Sequence, residues 1–462
     1  MKINIPPHFK SLTLVNFRGF KKAVDIGLAP LTFLVGPNSA GKSSIFDAFL
    51  LVAQSGFLPA WENRTVPTWI GPLVDLGSFG DVVYGHQDRL QIGLSIEVSV
   101  DPRVAWREHR LNSSNHSTVF EFLIRRAAKD PVGYLSKIRV TDKTSGTSCL
   151  IHIYPARKKV EMDIGGSRVT LQSEAVATHG VYEQASAAIR RLKVTKRFSK
   201  RGEKSGWMRL ASSLSSTAYF IYAAETQRVS SGRSAPKRWY PVTGEQKQDH
   251  WFRPLGSIFD AVDPQSVDTF LRPDQRKKTA RSRKKPHFDV KDALRKLDIA
   301  SDITSAKLSA YHTAINIRDS ATQVTSNLID VGYGASQVLP LLAACASGAS
   351  GPLFVEQPEI HLHPKAQGVI GEILGRVSRE RQVIVETHSE HLINRARIMV
   401  ARGELRSCDV IINYISRGKS GPKVHSIPIL ENGDFGSEWP AGFFDERFED
   451  TMSLLELKEK KG

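Results

Sequence analysis

A glycine-rich loop between an apolar strand and an apolar helix constrains the fold of this chain more than any other feature. Residues 36–44 have the sequence GPNSAGKSS, which fits the pattern GxxxxGK[ST]. LTFLV at 31–35 predicts a buried strand, and the proline-free run from Ser43 to Gln54 predicts a helix. Backbone N–H groups of such a loop and helix N-terminus point at phosphate oxygens. The predicted phosphate-binding residues are Gly36, Asn38, Ser39, Ala40, Gly41, Lys42, Ser43 and Ser44.

The residue types in this P-loop suit a nucleoside triphosphate bound with magnesium. Gly41 lets the backbone approach a phosphate closely, because glycine has no Cβ atom. Lys42 is expected to reach the β- and γ-phosphates, and the hydroxyl of Ser43 is expected to bind Mg²⁺. The sequence therefore predicts ATP and Mg²⁺ as cofactors.

The last third of the chain alternates between predicted strands and predicted helices. PLFVE at 352–356 and QVIVET at 382–387 predict strands, which are followed by helices from Pro364 to Arg379 and from Glu390 to Arg402. VIINYISR and KVHSIPIL predict closing strands. This alternation predicts an α/β fold, a mostly parallel sheet with helices on its faces.

A long segment of different character separates the two parts of this sheet. From about residue 90, period-two segments separated by turn residues predict an antiparallel meander, whereas residues 175–300 give no clear assignment. We expect residues 1–95 to form the first part of the ATP-binding domain. Residues 96–304 would be an insertion, β-rich and then basic and helical, and residues 305–462 the second part, ending in a small C-terminal cap.

An acidic strand end follows in the sequence LFVEQPEIHLHP at 353–364. A Mg²⁺–ATP site needs a carboxylate opposite its P-loop, so Glu356 is the predicted Mg²⁺ ligand beside Ser43, and Glu359 is a second candidate acid. His361 and His363 could form a metal pair or belong to a structural loop. No third ligand lies nearby in the sequence, which favours the loop.

Two further segments place polar residues at element ends. DVGYGASQVLPLL at 330–342 sets glycines and Ser336 at the start of an apolar helix. Such a helix N-terminus suits a phosphate, but an ordinary helix N-cap would look the same. In VETHSEH at 385–391, His388 follows a strand end, where ligands of parallel sheets bind. His388 could sense the γ-phosphate, hold the attacking water, or be structural.

The order of these motifs resembles the ABC-type ATPase heads of the RecF, SMC and overcoming-lysogenization-defect families. The chain is most similar to a stand-alone prokaryotic branch of the last family, which shares DVGxGxSQxLP, EQPExHLHP, ETHSEH and a C-terminal segment like EWPAGFFDE at 438–446. The resemblance covers about residues 1–90 and 305–450. It implies an ABC-type P-loop ATPase head, with helices on both faces of the sheet and an additional antiparallel β layer.

The resemblance also implies a head-to-head dimer or a higher oligomer. In such heads, ATP on one P-loop is completed by the signature of a second copy, which here would be Gly334, Ser336 and Gln337. The segment from His361 to Pro364 would lie at the dimer seam, and His388 would be the switch histidine. Gln54 is either the Q-loop residue or a polar helix end.

One departure from the wider superfamily concerns the catalytic base. ABC-type heads usually end the acidic strand with two acids, the second being the base, whereas this chain has Glu356 followed by Gln357. A glutamine cannot accept a proton from water, so Glu359 would have to act as base, or Gln357 would only orient the water. We therefore expect slow hydrolysis, with Glu356, Gln357, Glu359 and His388 as the catalytic set.

The positive charge of the chain is concentrated in two basic segments. Residues 190–204 and residues 272–286 each hold eight Lys or Arg and one acid, so together they supply +14 of the net charge of +17. Such segments attract double-stranded DNA, and the alternatives are an acidic partner protein or a solvated linker. Few aromatic residues lie near them, which argues against base stacking. The candidate contacts are Arg190, Arg191, Lys196, Arg197, Lys277, Lys278, Arg283 and Lys284.

Composition and resemblance together define the expected role. No run approaches the roughly 18 apolar residues that span a membrane. The three cysteines form no CxxC pair, which favours a cytoplasmic protein. Only 74 residues follow His388, which is too few for the nuclease domain of many members of the resembled family. A nuclease or other effector is therefore expected on a separate protein. The resemblance implies a nucleotide-gated switch in prokaryotic anti-phage defence. The alternatives are a RecF-like DNA-repair ATPase and an ATP-held, non-hydrolysing scaffold.

Overall fold

A computed structural model describes most of the two predicted parts of the domain and portions of the insertion. The described residues are 8–57, 66–100, 116–126, 132–154, 159–172, 182, 185–189, 207, 210–211, 226–233, 236–241, 290–309, 312–347, 349, 351–418 and 421–438. The basic segments 190–204 and 272–286 lie outside them, as does all but the first residue of EWPAGFFDE.

Strands and helices are numbered here in chain order. The strands are β1 (His8–Val15), β2 (Val24–Gly27), β3 (Leu31–Val35), β4 (Ile92–Val100), β5 (His116–Arg125), β6 (Tyr134–Asp142), β7 (Ser148–Tyr154), β8 (Lys159–Ile164), β9 (Ser167–Gln172), β10 (Gln227–Val229), β11 (Tyr240–Pro241), β12 (Asp302–Lys307), β13 (His312–Arg318), β14 (Thr325–Asn327), β15 (Leu353–Glu356), β16 (Val383–Glu386), β17 (Val410–Gly418) and β18 (Gly421–Pro428). The helices are α1 (Lys42–Ser55), α2 (Phe79–Val82), α3 (Val290–Lys296), α4 (Tyr333–Ala346), α5 (Pro364–Val377) and α6 (Glu390–Ala401).

The central sheet has the strand order β10–β15–β16–β3–β17–β18 among the described residues. Within this sheet, β10, β15, β16, β3 and β17 run parallel to one another, and only β18 pairs in the antiparallel sense. Every residue of β3, β15 and β16 is buried, which is the pattern of a parallel sheet covered on both faces. This order places β16 between β15 and the strand that leads into the P-loop.

Helices cover both faces of the central sheet. On one face, Phe46 of α1 contacts Phe354 of β15, with ring centroids 5.2 Å apart. Leu34 and Ile384 belong to the same apolar core as this pair. On the other face, the alternate residues Phe33, Val355 and Val385 share a core with α3, α4, α5 and α6. Side chains alternate between the two faces of a strand, so each strand contributes to both cores.

An antiparallel layer packs against the far side of α1. Its order is β2–β1–β4–β5–β6–β7–β8–β9, and its buried side chains, such as Leu12 of β1 and Phe120 of β5, join the same core as α1. Enclosure between two sheets explains why α1 is apolar on nearly all sides rather than amphipathic. The predicted fold class, an α/β ATPase head with a mostly parallel sheet and an antiparallel layer, is confirmed.

Strands join the predicted insertion to the predicted parts of the ATP-binding domain in three places. The boundary at 95/96 falls inside β4, whose partners are β1 and β5, so the meander extends the first antiparallel strands rather than forming a separate unit. Strand β10, at 227–229, pairs with β15 and forms an edge of the central sheet. The boundary at 304/305 falls inside β12, which pairs with β13 in a small sheet with β11 and β14. No helix among the described residues is both long and apolar enough to cross a membrane.

Candidate nucleotide site

The P-loop follows β3 directly and holds two glycines in conformations that other residues rarely adopt. Gly36 has φ 136° and Gly41 has φ 107°. A Cβ atom on Gly36 would lie 2.1 Å from the backbone oxygen of Ile415 in β17, and one on Gly41 would lie 3.2 Å from the ring of Phe20. The loop therefore needs glycine at both positions because of the backbone conformation. At Gly36 the close approach of β17 is a second reason.

Lys42 is the first residue of α1, and its side chain folds back over the loop. Its Nζ donates to the carbonyl oxygens of Gly36 and Pro37 at 3.0 and 2.9 Å. Burial lowers the pKa of Lys42, and the carboxylates of Glu386 and then Glu359 partly oppose this effect. The predicted phosphate-binding lysine is thus held at the loop, in an environment that lacks a full counter-charge.

Ser43 contacts an acid that the sequence analysis did not single out. Its hydroxyl donates to Oε1 and Oε2 of Glu386 at 3.2 and 3.0 Å. Glu386 ends β16, where its register partner is Leu34 of β3, so it lies directly beside the start of the P-loop. Burial raises the pKa of Glu386, while Lys42 and the hydrogen bond from Ser43 lower it. The only signal in the sequence was an acid at a strand end in VETHSEH.

Glu356, the predicted Mg²⁺ ligand, is engaged by residues from the predicted insertion. The Arg228 guanidinium donates to Oε1 of Glu356 from Nη2 at 2.6 Å and from Nε at 2.7 Å. The backbone N–H and the hydroxyl of Ser231 donate to Oε2 at 3.2 and 3.3 Å. Sequence reasoning missed both residues, because Arg228 belongs to a three-residue strand within the unassigned segment 175–300 and Ser231 follows that strand.

Gln357, Glu359 and His388 lie together after the ends of β15 and β16. Gln357 has φ 41° and donates from its backbone N–H to the carbonyl of Glu386 at 2.7 Å. Glu359 accepts from the backbone N–H of His388 at 2.7 Å, and burial raises the pKa of Glu359. Burial, and then the charge of Lys42, lowers the pKa of His388. Both effects favour the neutral form of the His388 imidazole.

Arg233 connects the acidic strand end to the helix predicted to carry the signature. Its Nη1 donates to the carbonyl of Gln337 at 3.0 Å, and its Nη2 donates to the carbonyls of Glu356 and Gln357 at 3.1 and 3.2 Å. Burial lowers the pKa of Arg233 to about 10, against the effect of Glu359 and Glu356. Arg233 remains charged at neutral pH, so this is a permanent cationic clamp on three backbone carbonyls.

The predicted signature residues begin α4. Ser336 and Gln337 are buried within the subunit, whereas Gly332 is exposed ahead of the helix. A Cβ atom on Gly334 would lie 3.2 Å from the carbonyl oxygen of His361. The start of α4 and the segment 361–363 are therefore in contact within one subunit. The role of these residues toward a second copy stays a prediction.

The remaining polar candidates are held by local contacts. His363 caps α5 by accepting from the backbone N–H of Lys365, and within the described ranges no three His, Cys, Asp or Glu side chains are grouped so that they could hold a metal ion. Gln54 is neither an exposed helix end nor among the residues that line the nucleotide cavity. It is buried, donating to the carbonyls of Thr68 and Val74 and accepting from the backbone N–H groups of Leu73 and Val74.

A cavity of about 430 Å³ opens at the carboxyl ends of the parallel strands. Gly36 and Ala40 shape the loop without lining the cavity, and Ala40 is buried. The hydroxyl of Ser43 and two carboxylates supply hard oxygen ligands, and Mg²⁺ in such sites uses one or two carboxylates together with phosphates and water. Together with Lys42 and the loop N–H groups, these residues fit Mg²⁺ and ATP. The lining residues are Asn38, Ser39, Gly41, Lys42, Ser43, Ser44, Ser231, Glu356, Gln357 and Glu386.

Comparisons with solved structures find SMC heads at low similarity. An SMC head from Pyrococcus furiosus with an extended coiled coil, bound to the C-terminal domain of ScpA, is 12% identical, with a TM-score of 0.39 over 98% of this chain and 100% of that chain. The SMC head domain from Thermotoga maritima is 13% identical, with a TM-score of 0.36 over 92% of this chain and 99% of that chain. No curated protein matches the chain significantly.

Sequence-family profiles match three stretches of the chain. Residues 8–83 match "AAA ATPase domain", residues 257–394 match "AAA domain, putative AbiEii toxin, Type IV TA system", and residues 405–454 match "Protein of unknown function (DUF3696)". The first stretch contains the P-loop, and the second contains the acidic strand β15 and His388. Two separate stretches of the chain are therefore similar to AAA-type ATPase domains.

Proposed function

We propose that this chain is an ATP-binding switch that hydrolyses ATP slowly and controls a separate effector in prokaryotic defence against phage. The observation that supports slow turnover most directly is Gln357. It lines the nucleotide cavity immediately after Glu356, where related heads have a second acid. An amide at this position can orient a water molecule but cannot take its proton.

The residues around the cavity have separable roles toward bound nucleotide. The loop N–H groups and Lys42 would bind the phosphates, and Ser43 with a neighbouring carboxylate would hold Mg²⁺, which neutralises charge on the phosphate oxygens. Burial of Lys42 strengthens its attraction for an anion, because its charge is incompletely solvated. These contacts favour tight binding of ATP independently of any later hydrolysis.

Neither alternative base in the site is well suited to rapid proton abstraction. Glu359 accepts from the backbone N–H of His388, and it is not among the residues that line the cavity. His388 could accept a proton, but burial and then the positive charge of Lys42 lower its pKa and disfavour the imidazolium that would form. The account therefore expects ATP to persist in the bound state for long periods.

The switch would act through the end of β15. Arg233 clamps the backbone carbonyls of Glu356 and Gln357 to that of Gln337 in α4. A shift of the β15 end on nucleotide binding would be transmitted to the helix that begins with the signature. Gly334, Ser336 and Gln337 would then complete the nucleotide site of a second copy, in a head-to-head dimer or a higher oligomer.

Support for the defence role comes from a sequence profile. One matching profile is described as a putative AbiEii toxin of a type IV toxin–antitoxin system, which suggests such a setting without naming an effector. The basic segments 190–204 and 272–286 would bind a polyanion whose presence the switch senses, with double-stranded DNA as the first candidate. An effector protein, such as a nuclease, would respond to the nucleotide-bound conformation of the switch.

The test is ATP binding and turnover by the wild type and Lys42→Ala, with and without double-stranded DNA, at 50 and 200 mM salt. We expect tight binding, slow hydrolysis stimulated by DNA at low salt, and loss of both activities in Lys42→Ala. Stimulation should weaken steeply at high salt if many cations meet phosphates. Binding with no turnover under any condition would instead make the protein an ATP-held scaffold. Absence of nucleotide binding would refute the proposal.

A further inference from the structure

Two carboxylates end neighbouring parallel strands beside the P-loop, and their surroundings differ. Glu356 of β15 and Glu386 of β16 are register partners, so their backbones lie side by side. β16 separates β15 from β3, which places Glu386 one strand nearer to the P-loop than Glu356. The strand order therefore gives Glu386 the position closest to Ser43.

The contact between Ser43 and Glu386 has the spacing of two ligands on one magnesium ion. Ser43 Oγ lies 3.0 Å from Oε2 of Glu386. Mg²⁺ binds oxygen at about 2.0–2.1 Å in octahedral geometry, so neighbouring ligand oxygens are separated by about 2.9 Å. The serine hydroxyl and this carboxylate can thus share an ion without a large movement of either residue.

Glu356 is already satisfied by protein groups. Oε1 accepts two N–H groups from Arg228, and Oε2 accepts the backbone N–H and hydroxyl of Ser231. The side chain of Glu356 is 9% exposed, and that of Arg228 is 24% exposed. Recruiting Glu356 as a direct ligand would require this partly desolvated ion pair to open, which has a free-energy cost.

We infer that Glu386, rather than Glu356, is the carboxylate that holds the divalent cation together with Ser43, and that Glu356 serves with Arg228 to fix the end of β15. The inference rests on the proposed binding of ATP at this P-loop. It assigns the acidic role to the last residue of β16, two residues before His388, the predicted switch histidine. The ion and that histidine would then be connected through one short backbone segment.

The experiment measures the affinity of a fluorescent ATP analogue in EDTA and across a Mg²⁺ titration. The proteins are the wild type, Glu386→Gln, Glu356→Gln and Lys42→Ala. Glu386→Gln keeps an amide oxygen that can accept from Ser43, while it removes the charge that the ion needs. We expect it to lose at least tenfold of the Mg²⁺ enhancement, a difference of about 1.4 kcal/mol. Its affinity in EDTA should not be weaker than that of the wild type, because removing a carboxylate charge from the cavity reduces repulsion of the phosphates. Glu356→Gln should keep the enhancement.

The other outcomes overturn the assignment in distinct ways. Loss of the enhancement in Glu356→Gln and not in Glu386→Gln would return the role to Glu356. Loss in both variants would contradict the separation of roles. Weaker binding of Glu386→Gln already in EDTA would show that Glu386 shapes the loop rather than holding the ion. If the wild type binds no nucleotide in either condition, as expected only of Lys42→Ala, the proposed function fails as well.

Discussion

The ion pair between Arg228 and Glu356 gives a quantitative test of how the predicted insertion is joined to the nucleotide site. Replacing Arg228 with methionine preserves much of the side-chain volume but leaves the Glu356 carboxylate, 9% exposed, without its cation. Removing one partner of a fully buried pair costs about 3–5 kcal/mol. Because Arg228 is 24% exposed, solvent can enter, and we take about 2–3 kcal/mol for this loss.

A second contact adds to the effect of Arg228→Met. Nη1 of Arg228 donates to the carbonyl of Leu73 at 2.9 Å, and losing this hydrogen bond should cost about 1 kcal/mol. The single variant should therefore lower the free energy of unfolding by about 3–4 kcal/mol. Glu356→Gln keeps an acceptor and leaves a partly solvated guanidinium, so about 1–2 kcal/mol is expected.

The double variant separates the ion pair from the other contacts. Arg228→Met combined with Glu356→Gln leaves no buried unpaired charge, so its cost should be about 2 kcal/mol less than the sum of the two single costs. The assay is urea unfolding at pH 7, followed by tryptophan fluorescence. Arg238→Met is the matched control, because the pair of Arg238 with Asp330 is 63% and 47% exposed and should contribute less than about 1 kcal/mol.

Additive costs would refute this reasoning. If the double variant loses the sum of the single effects within about 0.5 kcal/mol, the two side chains do not interact energetically. If Arg228→Met is no more destabilising than Arg238→Met, β10 does not anchor the insertion to the central sheet through this pair.

Three further predictions address the loop, the histidine and the buried amide. Gly36→Ala should abolish nucleotide binding and lower the free energy of unfolding by about 3 kcal/mol or more, because the alanine Cβ would lie 2.1 Å from the Ile415 carbonyl oxygen. Binding of an ATP analogue and thermal unfolding measure the two effects. The folded state lowers the pKa of His388, so near and below pH 6.5 the unfolded state binds more protons than the folded state. The free energy of unfolding should therefore fall as the pH drops through about 6.5 toward the folded pKa. His388→Gln should flatten this part of the pH profile of unfolding. Gln54→Leu should cost about 2–4 kcal/mol by leaving buried backbone groups unpaired, with binding of ATP retained, and a loss below 1 kcal/mol would contradict its structural role.

Local sequence patterns were sufficient for the P-loop and the strands around it. The predicted strand 31–35 is β3, and the helix predicted from Ser43 to Gln54 is α1 with one more residue at each end. The phosphate loop depends on glycines at fixed spacing between two apolar elements, so its geometry is encoded within about ten residues. The antiparallel meander was also predictable, because strands such as β7 and β8 alternate between buried and half-buried residues.

Contacts between distant segments could not be predicted in the same way. Glu386 lies 343 residues from Ser43, and its importance depends on β16 lying between β15 and β3. Arg228 belongs to a three-residue strand, which is too short to give a periodic signal. The expected boundary at 95/96 falls inside β4, which has the alternation of a meander strand and pairs with the distant strand β1, a contact that no local pattern indicates.

The most direct test of the central claim is the ATP turnover of Gln357→Glu beside the wild type, with Lys42→Ala as the inactive reference. If the missing base limits hydrolysis, the wild type should turn over slowly and Gln357→Glu should be faster by at least about tenfold, since a general base contributes about 10²–10⁴-fold. Wild-type turnover of about tens per second, typical of an efficient ATPase, would contradict the account. So would a Gln357→Glu variant that binds ATP as the wild type does but hydrolyses it no faster.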